Sequence, residues 1–561
     1  MRNPPDARTE SAGIVSASAV MAAGTLLSRV TGFVRAAMIA AALGIHLHAD
    51  QFTVANTIPT MLYILLAGGV FNTVLVPQLV RAMQRDSDGG AAYVNRILTL
   101  SALALAVATA AAVAGAPWLM RVFLEPEWFT PALAPQLESL IDLSRFCLLQ
   151  IFFYGMFVLL GQVLNARGRF GPMMWAPIAN NAVAIAVLAL YLIWYGSQDG
   201  TGAYTSEQEL LLGLGSTLGI VVQTAVLVPY LRAAGVRARP RFDFLHTGLG
   251  RTLRLGMWTV LFVVVNQIAY AVVVRLATNG SAQAVTAGVS NASGYTVYSN
   301  AFLLVMVPHS VITVSLTTAT LPLISRLAAD GRLADVGAEL ARSLRVCLSA
   351  VVPIALGVAA LAAPIAAVVF GWGAATGDTA PLGLTLAAFA PGLVLYTVHY
   401  SVLRGFYAIE DTRTPFVIQC VIAAVNIGLA VLLTSVATAY NYPAMLALAY
   451  AGSYLVGAVV SFVVLAARLG GLTVFDVSRL LVRVSVAAFP AAGAAWLVVT
   501  ALARLGLELT SKLDAVGALA VAGVVGVAVF TMLAALLHIE EVTQIRRALL
   551  GRLRPERQPQ R

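Results

Sequence analysis

Charge is scarce in this 561-residue sequence: Asp, Glu, Lys and Arg make up only 11% of it, against 60% hydrophobic residues. A water-soluble chain of that balance would have nowhere to place its apolar surface, so the soluble globular classes are excluded. Lysine is almost absent; Lys512 is the only one among 35 basic residues. Cysteine is rare too. Cys147, Cys347 and Cys420 sit singly in or beside apolar runs, which argues against a disulfide framework and for buried thiols. The chain has no phosphate-binding glycine loop, no nucleophile elbow and no zinc-ligand spacing, so it does not read as an enzyme, and nucleotide hydrolysis by this chain is not its energy source. His46 and His48 share one connection with no third ligand, and no metal or cofactor is expected. His399, inside an apolar run, reads as a hydrogen-bonded core histidine. The short alternating segments of a β-barrel are missing as well.

What is present is a series of long apolar runs. They predict an all-α polytopic membrane protein with fourteen spans near 16–42, 52–80, 95–120, 141–165, 171–195, 209–232, 252–276, 294–324, 343–370, 381–403, 415–436, 442–467, 480–503 and 514–538. Arginine tests the count independently. The N-terminus, every even-numbered connection and the C-terminal tail are arginine-rich, from Arg81, Arg85 and Arg96 to Arg546 and Arg547. The odd-numbered connections hold acids instead, among them Glu125, Glu127, Asp199, Glu207 and Asp378. Such alternation places both termini in the cytoplasm, with the protein multi-pass in a bacterial cytoplasmic membrane. The net charge of +10 then belongs to topology, not to nucleic-acid binding.

An internal repeat organises the spans. Val76-Pro77 with Arg81 closes the second span as Leu321-Pro322 with Arg326 closes the eighth, at an offset of about 245 positions. The junction Asn165-Ala-Arg167-Gly-Arg169-Phe, ending at Pro172, recurs as Leu403-Arg404-Gly-Phe-Tyr, ending at Asp411-Thr-Arg-Thr414-Pro415, at nearly the same offset. Two such matches predict two parallel-repeat six-helix lobes around a central cavity, with two extra C-terminal helices. The expected divisions are a tail 1–15, an N-lobe 16–235, a linker 236–251, a C-lobe 252–470, spans thirteen and fourteen at 471–538, and a basic tail 539–561. Asp411, Thr412 and Thr414 before Pro415 also fit a plain helix start, with an Asp or Thr cap and a first-turn proline.

The first span carries two arginines, Arg29 and Arg35, about 9 Å apart along the helix axis. A guanidinium at the bilayer centre costs about 2.5–3.5 kcal/mol on insertion scales, so something must meet it. No acid lies clearly within any span to do so. Gly32 between them leaves room for a close neighbour, and the planar fork of arginine suits a diphosphate in the cavity. Snorkelling to the interface is the competing role, more for Arg35 than for Arg29.

Ser28-Arg29-Val-Thr-Gly32-Phe-Val-Arg35, then Ala49-Asp50, Asn56-Thr-Ile-Pro59 and the two junctions, resemble the MurJ (MviN) lipid II flippases of the multidrug/oligosaccharidyl-lipid/polysaccharide exporter superfamily, over about residues 14–540. The resemblance implies alternating access that carries undecaprenyl diphosphate-GlcNAc-MurNAc-pentapeptide from the cytoplasmic to the outer leaflet. It implies a diphosphate held by Arg29 and Arg35, an outer-end acid at Asp50, and a lipid-tail groove on the last two helices. Asn56 and Asn300, with Asn72, Asn266 and Gln267, are the neutral donors expected to help; Gly32, Arg167, Arg169, Arg404, Asp411, Thr414 and Pro415 are the expected gating and junction residues. The sequence departs from proteobacterial members where they carry an arginine and a glutamate in span two (here Tyr63 and Gly68) and an arginine in span eight (here Leu303). Span eleven keeps Asn426, but Ala430 stands four residues on and span seven has no acid, so the sodium site of some members is incomplete. The drive is then the membrane potential or another monovalent cation; moving one charge through 100 mV is worth about 2.3 kcal/mol. Cell-wall synthesis or division proteins are the expected partners.

Three other readings stand beside this one. A flippase for another undecaprenyl-diphosphate-linked polysaccharide intermediate shares every feature above. A cation-coupled multidrug antiporter predicts twelve spans and an acidic cavity. A non-transporting membrane scaffold predicts that Arg29 is dispensable.

Overall fold

The computed structural model describes residues 7–67, 79 and 88–544, apart from 89, 199, 238, 244–248, 290, 291, 471, 473 and 507–511. Among the described residues there is no strand, and thirteen helices are long and apolar enough to cross a membrane. They match thirteen of the fourteen expected spans. The remaining one, 52–80, begins in a helix at Leu47–Leu65 and runs on into residues outside the described set, which also hold Gly68, Asn72 and Pro77. The protein is a multi-pass helical membrane protein.

Packing groups the chain into two units. The first comprises Met1–Thr296 with Trp372–Ala375. Its helices are α1 (Ala7–Leu43), α2 (Leu47–Leu65), α3 (Ala91–Ala114), α4 (Ala116–Phe123), α5 (Ala134–Leu148), α6 (Gln150–Ala166), α7 (Gly171–Tyr195), α8 (Ser206–Ala225), α9 (Leu227–Ala233) and α10 (Leu249–Thr286). α1 lies along α7, which lies along α8. Within hydrocarbon, helix association rests on close packing and interhelical hydrogen bonds instead of the hydrophobic effect. Both are visible here: Asn181 of α7 donates to the Ser28 carbonyl at 3.0 Å and to Thr31 Oγ1 at 2.9 Å on α1. Thr205 opens α8 with the capping box its Thr-x-x-Gln spelling calls for; the Thr205 N–H donates to Gln208 Oε1 at 2.9 Å and Thr205 Oγ1 accepts the Gln208 N–H. An apolar core joins Val94, Ile97 and Leu98 of α3 to Phe157, Leu160 and Leu164 of α6 and to Leu227 and Leu231 of α9.

The second unit comprises Val297–Gly371 and Thr376–Arg561. It holds most of α11 (Tyr295–Pro308), a π-helical turn at His309–Thr313, then α12 (Val314–Ala329), α13 (Leu333–Ala360), α14 (Ala362–Phe370), α15 (Ala380–Ala408), α16 (Arg413–Thr434), α17 (Tyr442–Leu469), α18 (Val474–Arg504) and α19 (Lys512–Leu536). α15 and α17 form its centre, and α18 packs on α13 and α19. The rings of Tyr298, Phe302, Phe389, Tyr396, Tyr450 and Tyr454 stack through it at 4.6–6.4 Å between centroids. The lobes expected from the repeat follow sequence symmetry, whereas packing places α10, on α2 and α4, with the first unit.

Candidate functional site

α2 presents polar residues at helical spacing on one side: Asp50, Thr53, Asn56, Thr57 and Thr60. Asp50, Thr53 and Thr57 find partners on α11, and Asn56 and Thr60 find theirs on α6. Asp50 is buried, and its Oδ2 accepts the Tyr295 N–H at 2.9 Å while its Oδ1 accepts the Thr296 N–H at 2.6 Å. These are the first orphan donors of α11, so a carboxylate sits where a helix N-terminus favours negative charge. Gly294 is what lets it come so near, since a Cβ there would run into the Asp50 carboxylate and Ser281. Below that, Thr296 Oγ1 donates to Thr53 Oγ1 at 3.1 Å and Thr57 Oγ1 to the Tyr295 hydroxyl at 3.0 Å; the Tyr295 and Tyr270 hydroxyls share a bond at 2.5 Å. Gln267 of α10 donates to the Met61 carbonyl at 2.9 Å. From α6, Gln150 donates to Asn56 Oδ1 at 2.9 Å and to Ser216 Oγ at 3.0 Å.

His46 and His48, just before Asp50, turn out to be clamps. His46 Nδ1 bonds the Ala292 carbonyl at 2.7 Å. His48 stacks on Tyr204 at 4.6 Å and its Nε2 bonds the Gly202 carbonyl at 3.0 Å. Tyr204 in turn donates to the His48 carbonyl at 2.6 Å. Three residues within five positions thus tie the head of α2 to two separate connections.

Arg29 and Arg35 lie on α1 within the apolar stretch Ala23–Leu43. Arg29 is exposed and Arg35 half-buried, and among the described residues neither takes part in an ion pair. Arg35 is within electrostatic range of Tyr154, whose ring neighbours Tyr63 at 5.0 Å. Gly32 between the arginines faces the Asn181 side-chain nitrogen, 3.7 Å from where a Cβ would stand. Asn300, on α11, belongs to the second unit and is buried.

The two junctions share one turn. In the first, the Arg169 N–H reaches back to the Leu164 carbonyl at 2.9 Å around left-handed Gly168; in the second, the Asp411 N–H reaches the Phe406 carbonyl at 2.9 Å around left-handed Glu410. Arg167 donates to the Ala234 carbonyl at 3.4 Å just past α9, while Arg169 is exposed. Asp411 Oδ1 accepts the Arg413 and Thr414 N–H groups at 3.0 Å each, which is the cap the sequence implied, and Pro415 follows in the first turn of α16. Arg468, at the end of α17, donates to the Asp411 carboxylate and, at 3.0 Å, to Thr414 Oγ1. Burial opposes the charge on Asp411, but the hydrogen bonds from Thr414 and Arg468 outweigh it and hold the carboxyl below its ordinary value. Arg404 stacks on Tyr400, its Cζ 4.4 Å from the ring centroid, and bonds its hydroxyl.

A polytopic bundle built this way, with paired junction turns and a cationic first span, has the architecture of a membrane transporter. Two solved structures share the fold. One is "Lipid II flippase MurJ, inward closed conformation", with TM-score 0.71 and 17% identity, covering 93% of this chain and 99% of the other. The other is an inward-facing multidrug-resistance MATE transporter, with TM-score 0.61 and 16% identity over 78% of this chain and 94% of that one. The family model described as "Lipid II flippase MurJ" matches residues 39–513. This chain belongs to the MurJ family. It is similar to the "Probable lipid II flippase MurJ" of Haemophilus influenzae, 28% identical over 418 residues that cover 72% of this chain and 78% of that protein. The "Lipid II flippase MurJ" of Burkholderia cenocepacia is 28% identical over 404 residues, 70% of this chain and 72% of its own.

Proposed function

We propose that this protein flips the undecaprenyl-diphosphate-linked peptidoglycan precursor, lipid II, from the cytoplasmic to the outer leaflet of the bacterial inner membrane, with both its termini in the cytoplasm. The observation that carries the mechanism is Arg29: a permanently charged, exposed side chain inside an apolar span, with no ion-pair partner among the described residues. A diphosphate supplies the missing anion, and Arg35 about two turns away supports it. The Asp50 bonds to the start of α11 hold the head of α2 in place within the first unit. The apolar faces of α18 and α19, where Phe489, Trp496, Val521 and Val524 are exposed, suit the long isoprenoid tail. Coupling is to the membrane potential or to a monovalent cation.

The test is complementation of a strain depleted of its own lipid II flippase, with wild type and Arg29→Ala compared at matched membrane levels. Rescue by wild type alone supports the reading. No rescue by inserted wild type moves the substrate to another undecaprenyl-diphosphate intermediate, and rescue by both removes Arg29 from the diphosphate site.

A further inference from the structure

The run from α11 to α12 is interrupted at Pro308 by the π turn His309–Thr313, in which the Val314 N–H bonds the His309 carbonyl five residues back. Single π turns inside α-helices are frequent at functional sites, because sliding one residue returns the segment to α-helical register. Proline adds to the instability by removing a backbone donor. The residue that opens this turn is titratable. His309 is 4% exposed, its Nδ1 bonds Thr397 Oγ1 of α15 at 3.2 Å, and Thr397 Oγ1 lies 3.4 Å from Thr313 Oγ1 at the other end of the same turn. Thr397 therefore bridges the two ends of the π segment through its hydroxyl.

The π turn packs on α12, α13 and α15. From α15, Tyr396 lies tilted against the imidazole at 4.6 Å and Tyr400 edge-on at 4.8 Å, and Arg404 covers that same Tyr400 ring at 4.4 Å. α13 contributes Cys347, hydrogen-bonded to Thr313, while its Arg345 pairs away with Glu541 at 3.3 Å. The one titratable residue of α12, Arg326, is in its last turn. No ion pair among the described residues includes His309, so a proton on it would meet no carboxylate and would place two cations on one tyrosine ring. His399 offers a contrast: it bonds Ser461 of α17 at 3.2 Å and lies within regular helix.

We propose that His309 is a proton-binding site whose occupancy shifts the π turn, and that the proton is thereby the cation coupled to the transport cycle. In the neutral ring Nδ1–H donates to Thr397 and Nε2 carries the lone pair. Nε2 takes a proton from water; the imidazolium repels Arg404 across Tyr400, and the segment relieves this by changing register. The proton leaves Nε2 when the ring is re-exposed to a less acidic side, so one proton is bound and one released per cycle. The coupling half of this rests on the flippase reading; the proton site does not.

The test is hydrogen–deuterium exchange of the full-length protein in nanodiscs, following peptides over 305–317 from pH about 4 to pH about 7.5, a range that reaches well below the ordinary imidazole value near 6.5. After correction for intrinsic exchange, wild type exchanges faster at the lower pH, His309→Gln loses that dependence, and His399→Gln keeps it. A wild type without pH dependence, or one matched by His309→Gln, overturns the proposal. In proteoliposomes with a fluorescent lipid II analogue, the wild-type flipping rate responds to an imposed pH gradient and His309→Gln loses the response. Flipping that ignores the gradient in wild type overturns the coupling. An absence of any flipping, with the exchange result intact, overturns the substrate instead and leaves the proton site standing.

Discussion

Asp50 Oδ1 accepts the Thr296 N–H at 2.6 Å across 246 positions of sequence, at the point where the head of α2 meets the start of α11. Replacing it by asparagine keeps the shape and removes the charge. The amide nitrogen cannot accept, so one of the two N–H groups is left unpaired, and a charge-assisted bond is worth about 1.5–3 kcal/mol. Asp50→Asn is expected to lower the thermal midpoint in detergent and to fail in complementation at normal membrane levels. An unchanged midpoint would show that these bonds do not hold the seam.

Gly294→Ala probes the same seam without touching charge. The added methyl displaces the Asp50 carboxylate, so its loss of stability should approach that of Asp50→Asn, and the double variant should lose little more than either alone. Additive losses would mean that the two residues act separately.

The Arg468–Asp411 pair is partly exposed, at 44% and 20% of the two side chains, and an ion pair so placed contributes about 0.5–1 kcal/mol. Because the Asp411 carboxyl is held below its ordinary value, its contribution is present above about pH 4 and is lost as pH falls through the folded-state value. Arg468→Ala should therefore lower the melting midpoint at neutral pH, with the gap from wild type closing in acid. A gap that persists in acid would assign the loss to packing of Arg468 on Phe406.

Glu410 adopts the left-handed conformation (φ 59°) that Gly168 fills at the matching turn. An L side chain there costs about 1–2 kcal/mol, part of which glycine returns through its freer unfolded chain. Glu410→Gly is expected to raise stability by about 0.5–1 kcal/mol, read as an upward shift of the midpoint. A fall would show that the Glu410 side chain contributes more than its backbone strain costs.

Much of the fold could be read from the chain because a bilayer imposes it: long apolar runs became helices close to the expected bounds, and Asp411 caps α16 as its spacing implied. The α2 seam was only half legible. Asn56 and Thr57 stand out as polar residues at helical spacing, but nothing local says that Gln150, Tyr270 and Tyr295 meet them, since those contacts join segments 25 to 238 residues apart. Arg468 read as topogenic charge because its partners lie 54 and 57 residues upstream. His46 and His48 could be set aside as metal ligands for want of a third, but their clamping role was invisible, since backbone carbonyl partners carry no sequence signature. The π turn at His309 follows Pro308, yet a proline announces a disturbed helix without saying which register results.

The Asp50 bonds also bear on what genetics can find. The two partners named above are main-chain N–H groups, which every residue except proline carries, so no side-chain change at 295 or 296 replaces those two bonds once the carboxylate is lost. Suppressors of an Asp50 variant are then expected at its side-chain neighbours, Ser281 first, or where the cycle is eased elsewhere. A screen for compensating pairs will thus find little in the main-chain bonds at 295 and 296, and its side-chain hits for Asp50 should fall on Ser281 and Thr296, whose side chains also bond the carboxyl.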